Sequence, residues 1–242
     1  MAEIFATTSG KGGVGKSSIA AGLGFAFSQL GQNVLLVDMD EGLGCLDLIL
    51  GIDDSAVLDL CDALDFEDIT DAVYKSKAEN LSLITAPKGE RKIDSEKFVR
   101  FTDKANSLFD VIIFDFPAGL DFELYSLLPK NTVFLCVTTP DPVSVRDASA
   151  VSRELFKRGL SSRLIINRFD LKKHKKRRLK GIDGIIDSAS IRLLGIVPES
   201  EDINLLSVKH KLRKKDRSVS AFLRIAERLR YKNVPLKKLK KI

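Results

Sequence analysis

The chain has 242 residues and a formal net charge of +6, from 39 Lys and Arg against 33 Asp and Glu. This length suits one large domain with a sizeable core, and no run of about twenty apolar residues indicates a membrane span. Three widely spaced cysteines without a CxxC pair, and an N-terminus unlike a secretory signal, favour a cytoplasmic protein with no disulfide framework and no Fe–S cluster.

Strand-like and helix-like segments alternate almost throughout the chain. Short apolar runs predict strands at residues 4–8, 33–38, 81–85, 111–115, 132–138, 163–167 and 193–198. Apolar residues at helical spacing predict helices that include residues 17–30, 95–108, 142–158 and 218–231. Because the strands are apolar on both faces, they indicate a three-layer α/β fold, a mostly parallel sheet flanked by helices on both faces. With no internal repeat and no Gly/Ser linker, we expect a single domain at 1–231 and a basic tail at 232–242.

A glycine-rich segment, SGKGGVGKSS, joins the first predicted strand to the first predicted helix. It matches the phosphate-loop pattern G-x-x-x-x-G-K-[ST] through Gly10, Gly15, Lys16 and Ser17. Glycines let backbone N–H groups wrap phosphate oxygens closely, and the positive end of the helix dipole adds to the attraction. We expect Lys16 to reach the β- and γ-phosphates of ATP and the Ser17 hydroxyl to ligate Mg²⁺.

Acidic side chains follow two of the predicted strands. Asp38 and Asp40 come at the end of NVLLVDMD, and Asp115 ends VIIFD. Ligands of open parallel sheets bind at the carboxyl ends of the strands, where such acids can support Mg²⁺ and its water shell. The alternative, that these residues are helix caps or turn residues, stays open from the sequence.

The same segments resemble those of the MinD/ParA family of P-loop ATPases. SGKGGVGKSS is similar to its deviant Walker A box, which carries an extra lysine, here Lys11. VDMDEGLGCLDLILG is similar to its first switch region, and FDVIIFDFPAGLD to its Walker B and second switch. TTPDPVSVRDA, LIINRFD and GIVPESEDINLLS resemble later family segments, so the resemblance runs from about Ala2 to Leu229. DFPAG and SVRDA are nearest to the MinD branch.

The resemblance implies roles for the phosphate loop and the acids. Lys11 would cross a homodimer interface to the partner subunit's ATP, and Asp40 would orient or deprotonate the attacking water. The catalytic residues would therefore be Lys11, Lys16 and Asp40. The residues that would hold Mg²⁺ are Ser17, Asp38 and Asp115. The residues expected around the phosphates are Gly10, Lys11, Gly12, Gly13, Val14, Gly15, Lys16, Ser17 and Ser18.

The resemblance also implies a γ-phosphate sensor and a base site. The second switch would sense the γ-phosphate through Pro117, Ala118 and Gly119. Asn167 would hydrogen-bond the adenine edge, and the residues expected nearby are Arg168, Pro198 and Glu199. An ordinary strand-end turn remains the alternative for Asn167. Arg146 and Asp147 resemble a partner-docking position, although a plain helix surface is equally compatible with them.

The chain departs from the family pattern at two positions. Cys45 stands where family members often carry Asn, and Phe116 stands where a small residue is common. Cys45 puts the coupling of the first switch to a partner in question, and Phe116 the rearrangement of the second switch. ATP binding is therefore better supported than regulated hydrolysis.

Positive charge is concentrated near the C-terminus. Residues 207–242 contain fourteen Lys or Arg and two acids, which leaves the preceding body net acidic. In the final NVPLKKLKKI, an apolar stripe on a basic helix is formed by Leu236, Leu239 and Ile242. We expect this tail to contact an anionic membrane, with a solvated tail or nucleic-acid contact as alternatives. The basic block at 172–180 could be a solvated charge run or meet lipid, nucleic acid or an acidic partner.

The sequence as a whole favours a Mg²⁺-dependent ATPase of MinD type that dimerises with ATP. It would be cytoplasmic, peripheral on the inner face of the cell membrane when ATP-bound, and would recruit or position a regulatory protein partner in cell-division site selection. Two alternatives are a ParA-like partitioning ATPase that binds nonspecific DNA, and a nucleotide-gated scaffold that does not hydrolyse ATP.

Overall fold

The computed structural model describes residues 1–41, 44–52, 56–89, 91–170, 181–200 and 216–236. These residues form a central eight-stranded sheet with the order β3-β4-β2-β5-β1-β6-β7-β8. Its strands are β1 Glu3–Thr8, β2 Val34–Asp38, β3 Tyr74–Lys75, β4 Leu81–Ile84, β5 Val111–Asp115, β6 Val133–Thr138, β7 Ser161–Phe169 and β8 Leu193–Pro198. The pairing of β3 with β4 is antiparallel, and the other strand pairs of this sheet are parallel.

Helices cover both faces of the sheet, so the predicted three-layer α/β architecture is confirmed. They are α1 Lys16–Gln29, α2 Leu46–Leu50, α3 Leu60–Asp65, α4 Ser95–Leu108, α5 Phe122–Leu127, α6 Pro142–Lys157, α7 Ile182–Ala189 and α8 Arg217–Leu229, with a 3-10 turn at Ile69–Ala72. The named strand and helix predictions agree with these bounds to within two residues at each end. The predictions did not include five short elements, which are β3, α2, α3, α5 and α7.

Aspartates set the starts of several helices. Asp94, Asp121 and Asp141 each accept a hydrogen bond from a backbone N–H in the first turn of α4, α5 and α6. Asp59 forms a reciprocal capping box at α3 with Asp62. Such caps satisfy N–H groups that have no partner inside the helix, so these helices begin where the chain supplies an acid.

Strand β1 lies in the middle of the sheet, between β5 and β6. The chain turns to one side of β1 to form β2, β4 and β5 and to the other side to form β6, β7 and β8. Such a change of direction opens a crevice at the carboxyl ends of the strands. The glycine-rich segment that follows β1 therefore sits at the centre of this edge.

The last helix, α8, packs on α1 and β8 through two glycines. A Cβ on Gly22 would lie 2.4 Å from Cζ of Phe222, and one on Gly195 would lie 2.4 Å from Cγ1 of Ile225. Both large side chains are buried. The absence of side chains at Gly22 and Gly195 thus lets α8 approach the sheet closely. None of the helices within the described residues is long and apolar enough to cross a bilayer.

We predict that Gly22→Ala destabilises the protein. The added methyl collides with the buried Phe222 ring, and this overpacking outweighs the roughly 1 kcal/mol gain in helix propensity, for a net loss of about 1–2 kcal/mol. Urea unfolding measures the change. Gly181→Ala is the control for the added methyl, because a Cβ there meets no heavy atom of the described residues within 4 Å and only the N-cap preference for glycine over alanine at the start of α7 is lost. An unchanged midpoint for Gly22→Ala would contradict close packing of α8.

Candidate functional site

The phosphate loop spans the turn between β1 and α1. Gly13 and Gly15 have φ angles of 76° and 92°, in the left-handed region that glycine adopts without strain. Gly15 is the N-cap of α1, and no side chain caps that helix. The first N–H groups of α1 are therefore available to an anion, as the loop pattern predicts.

Two neighbouring elements press against this loop. A Cβ on Gly10 would lie 2.9 Å from Cβ of Asp147 in α6, and one on Gly15 would lie 2.4 Å from Nδ2 of Asn167 in β7. Both glycines therefore allow a close backbone approach that a larger residue would prevent. Asp147 thus backs the phosphate loop, whereas Arg146 beside it is exposed.

The two lysines of the loop have different environments. Lys16 is buried, with 8% of its surface exposed, and its charge acts on Asp115. Lys11 is exposed at the tip of the loop, and its backbone oxygen accepts a hydrogen bond from the Ser9 hydroxyl at 2.8 Å. The loop thus places one ammonium group inside its own site and leaves the other at the surface.

The predicted acids come together at the carboxyl ends of β2 and β5. Asp38 and Asp115 are directly opposite each other in the parallel pairing of these strands, and both are buried. The Ser17 hydroxyl lies close enough to the Asp115 carboxyl to oppose the rise of its pKa. Asp38 accepts hydrogen bonds from the backbone N–H of Asp40 at 3.0 Å and of Leu46 at 3.3 Å. The half-buried Asp40 is thereby held beside the other two acids.

Burial controls the charge of these acids. Burial is the larger cause, and the charge of the nearby Asp115 the second, of a rise in the pKa of Asp38 from 3.8 to about 7. Burial also raises the pKa of Asp115, although hydrogen bonds from Ser17 and Thr7 act in the opposite direction. Two adjacent buried carboxyls favour a bound cation, because a cation restores the ionised form.

The predicted base-site residues lie together at the carboxyl ends of β7 and β8. Arg168 has φ 53° within a register irregularity of β7 and is exposed. Phe169 pairs with Pro198, and its oxygen accepts from the Glu199 N–H at 3.1 Å. Asn167 is buried, and its Nδ2 donates to the oxygen of Val14 at 2.8 Å. Its buried Oδ1 has no hydrogen-bond partner among the described residues, which leaves an acceptor that an amino group could use.

The predicted second switch contacts the phosphate loop. Gly119 forms an isolated antiparallel bridge with Ser9 and donates its N–H to the Ser9 oxygen at 3.0 Å. Its φ of 110° is one that favours glycine. Pro117 is half-buried and Ala118 exposed, and a Cβ on Gly12 would lie 4.0 Å from that of Ala118. The switch residues and the loop thus form one continuous surface.

The comparisons with known proteins agree with this geometry. A family profile described as the CobQ/CobB/MinD/ParA nucleotide binding domain matches residues 5–213. The chain belongs to the MinD/ParA family. Its relatives include the septum site-determining protein MinD of Synechocystis sp., 33% identical over 244 residues that cover 97% of this chain and 92% of that protein.

Two solved structures of the family are similar over nearly the whole chain. The MinC:MinD cell division protein complex of Aquifex aeolicus gives a TM-score of 0.86 at 30% identity, covering 98% of this chain and 99% of that chain. The septum site-determining protein MinD of Pyrococcus horikoshii, complexed with Mg-ADP, gives 0.80 at 27% identity, covering 95% and 96%. The resemblance to MinD/ParA proteins and the P-loop fold are thus confirmed.

The donor atoms of this family member fit Mg²⁺ with a nucleotide. Carboxylates and a hydroxyl are the hard oxygen ligands that Mg²⁺ prefers. The described residues contain no group of three or more His, Cys, Asp or Glu that could enclose a metal by itself. Mg²⁺ usually completes its coordination shell with several waters and phosphate oxygens. The Cys45 thiol lies close to the Ser17 side chain, so the residue that departs from the family pattern lies beside this oxygen cluster.

Several residues of the site were not predicted from the sequence. The Thr7 hydroxyl donates to Asp115, and the Thr8 hydroxyl lies 2.8 Å from that of Tyr125. Thr7 and Thr8 form a polar pair at the end of an apolar strand, and this pattern could have identified them as site residues. No sequence pattern identified Tyr125. Of the predicted tail residues, Leu236 is half exposed, whereas Leu239, Ile242 and the basic block at 172–180 lie outside the described residues.

We predict that the stability of the nucleotide-free and Mg²⁺-free protein falls as the pH rises from 5 to 7.5. Asp38 keeps its proton up to about pH 7 in the folded state but loses it near pH 4 when unfolded. The folded state binds more protons in this window, so the rise in pH removes roughly 2–3 kcal/mol of stability. Thermal unfolding across this range measures the slope.

Asp38→Asn should flatten this slope, because the amide has no proton to lose. The exposed Asp183, in the first turn of α7, supplies the control, and Asp183→Asn should retain the wild-type profile. A pH slope unaffected by Asp38→Asn would show that Asp38 titrates normally.

Proposed function

We propose that the chain is an ATPase of MinD type whose Mg-ATP form dimerises, binds an anionic membrane and positions a regulatory protein partner in cell-division site selection. The contrast between buried Lys16 and exposed Lys11 in one phosphate loop carries the proposal. A P-loop needs one lysine for its own nucleotide. An exposed second lysine at the loop tip is in a position to reach the nucleotide of another subunit.

The residues of the site divide the work of binding and hydrolysis. The loop N–H groups and Lys16 would bind the phosphates, and Ser17, Asp38 and Asp115 would hold Mg²⁺ directly or through water. When bound, Mg²⁺ neutralises charge on the β- and γ-phosphate oxygens. Asp40, held by its N–H on Asp38, orients the attacking water and accepts its proton.

In the dimer, Lys11 of each subunit adds a positive charge beside the γ-phosphate of the nucleotide bound to the other subunit. Phosphoryl transfer leaves negative charge on the γ-phosphate oxygens, and a cation delivered across an interface stabilises it much as an arginine finger does. Such a contact makes dimerisation a condition for hydrolysis. The Lys11 backbone is held by Ser9, so its side chain projects from an ordered loop.

The base would be bound at the ends of β7 and β8. The buried Oδ1 of Asn167 needs a donor, and the adenine amino group is one. Arg168, Pro198 and Glu199 surround this position at the carboxyl edge of the sheet. The Nδ2 bond from Asn167 to Val14 would tie base recognition to the phosphate loop.

The first part of the C-terminal tail is hydrogen-bonded to α8. Arg228 donates from Nε to the Val234 oxygen at 2.7 Å, and Arg224 donates to the Pro235 oxygen. The half-exposed Leu236 follows this anchor. Each lysine near an anionic surface contributes about 1 kcal/mol, so one short tail binds weakly, whereas two tails on a dimer act together. Membrane binding would thereby depend on ATP.

We predict that Lys11→Ala abolishes ATP-dependent dimerisation while its nucleotide affinity stays within about threefold of the wild type. Light scattering with ATP and ADP measures the mass, and nucleotide titration measures the affinity. Lys75→Ala, at an exposed lysine of the edge strand β3, is the control and should dimerise normally. Wild-type levels of dimer in Lys11→Ala would refute the role of Lys11 across the interface.

We predict that replacing Leu236, Leu239 and Ile242 together by Gln lowers ATP-dependent binding to anionic liposomes at least tenfold. The lysines remain, so the loss measures apolar insertion, worth about 1.5–3 kcal/mol per buried side chain. Co-sedimentation with ATP and with ADP gives the readout. Leu108→Gln, at an exposed leucine of α4, is the control.

The liposome experiment also separates the alternatives. Undiminished co-sedimentation of the triple variant would place the membrane contact elsewhere. Binding to duplex DNA with a steep salt dependence, and none to liposomes, would instead identify a partitioning ATPase. ATP binding without turnover, with liposomes and candidate partners present, would identify a scaffold.

A further inference from the structure

A buried tyrosine joins the phosphate loop to the second switch. Tyr125 lies in α5 with 1% of its surface exposed. Its hydroxyl lies 2.8 Å from that of Thr8, at the end of β1, and donates to the oxygen of Gly119 at 3.4 Å. One hydroxyl therefore contacts both the strand that leads into the phosphate loop and the switch residue expected to sense the γ-phosphate.

The contact continues from the switch to the lysine at the loop tip. Gly119 donates its N–H to the Ser9 oxygen at 3.0 Å, and Ser9 donates its hydroxyl to the Lys11 oxygen at 2.8 Å. Tyr125, Gly119, Ser9 and Lys11 thus form a continuous chain of hydrogen-bonded residues. While Ser9 accepts the Gly119 N–H, that donor is not available to a γ-phosphate oxygen.

The ring of Tyr125 is held independently of its hydroxyl. It packs edge-on against Phe116, with ring centroids 4.7 Å apart and an interplanar angle of 82°. Phe134 and Phe122 contact it at centroid distances of 5.0 Å and 5.7 Å. Phe116, the residue that departs from the family pattern, is therefore part of the wall that positions Tyr125. Removal of the hydroxyl alone should leave this packing intact.

If the role of Tyr125 were purely structural, its hydroxyl would need fewer hydrogen bonds. A buried tyrosine hydroxyl needs one partner, and Thr8 supplies it. The second contact goes to the backbone of Gly119, which is itself bridged to the loop. Burial raises the pKa of Tyr125 to about 12, so the hydroxyl keeps its proton at neutral pH and remains a donor.

We propose that Tyr125 is a positioning residue that latches the second switch onto the phosphate loop and thereby opposes the ATP-bound state. Release of Gly119 from Ser9 would free its N–H for the γ-phosphate and loosen the backbone contact at Lys11. ADP has no γ-phosphate to compete for this N–H, so the latch discriminates between the two nucleotides. This inference rests on the proposed ATP-dependent dimerisation.

Tyr125→Phe tests the latch. Loss of one hydrogen bond, about 1 kcal/mol net, should lower the ATP concentration for half-maximal dimerisation about fivefold, with ADP affinity unchanged. Thr8→Val leaves the Tyr125 contact with Gly119 in place and should give a smaller shift in the same direction, and the double variant should shift no further than Tyr125→Phe alone, because that change already removes both contacts of the hydroxyl. The matched control is Tyr74→Phe, whose hydroxyl bonds the backbone of Leu58 near the sheet edge; it should leave the ATP dependence unchanged.

The same variant in a Lys11→Ala background separates the two proposals. There we expect a monomer, in which Tyr125→Phe should still raise the affinity for a non-hydrolysable ATP analogue about fivefold relative to ADP. An unchanged ratio, or a ratio that moves toward ADP, would overturn the latch. Failure of the wild type to dimerise with ATP would instead refute the proposed function, while the affinity ratio would still decide the inference.

Discussion

The site depends on two buried carboxylates that face each other at the ends of neighbouring strands. The parallel pairing of β2 with β5 fixes Asp38 opposite Asp115, and burial raises the pKa of both. Two such groups cannot both ionise cheaply unless a cation lies between or beside them. Lys16 and Ser17, at the start of α1, act on Asp115 as a cation and a hydroxyl, and the Thr7 hydroxyl donates to the same carboxylate. The arrangement therefore fits the proposed binding of a metal and a phosphate together.

The phosphate loop is also a meeting point of segments far apart in the sequence. Asp147 backs Gly10, Asn167 bonds Val14, and Gly119 bridges to Ser9. These contacts reach the loop from the helix α6, from the strand β7 and from the segment that follows β5. A change at the base, at the second switch or at the start of α6 can therefore alter the loop through direct contact. This gives a physical route by which the identity of the nucleotide could reach the surface that holds Lys11.

The aromatic residues packed around Tyr125 explain how the structure accommodates one departure from the family pattern. Phe116 directly follows the metal-site acid Asp115, and its ring packs edge-on against Tyr125. The bulk of Phe116 is thus accommodated by a second aromatic residue and not by displacement of the switch. Cys45 is different, because its thiol lies close to the Ser17 side chain. It therefore stands beside the proposed metal ligands.

The sequence by itself determined the layered α/β fold and the phosphate loop, because apolar runs and glycine spacing are local patterns with one physical interpretation. It also predicted that Asp38 and Asp115 lie at one edge of the sheet, because each ends an apolar strand and the carboxyl ends of parallel strands meet there. The sequence did not reveal β3 or α5, whose two and six residues are too short to show a period. The Asn167 bond to Val14 and the Tyr125 contacts with Thr8 and Gly119 join residues at opposite ends of long stretches of chain. Only the tertiary structure decided these contacts, because the order of the parallel strands, and not the spacing of residues, brings their ends together.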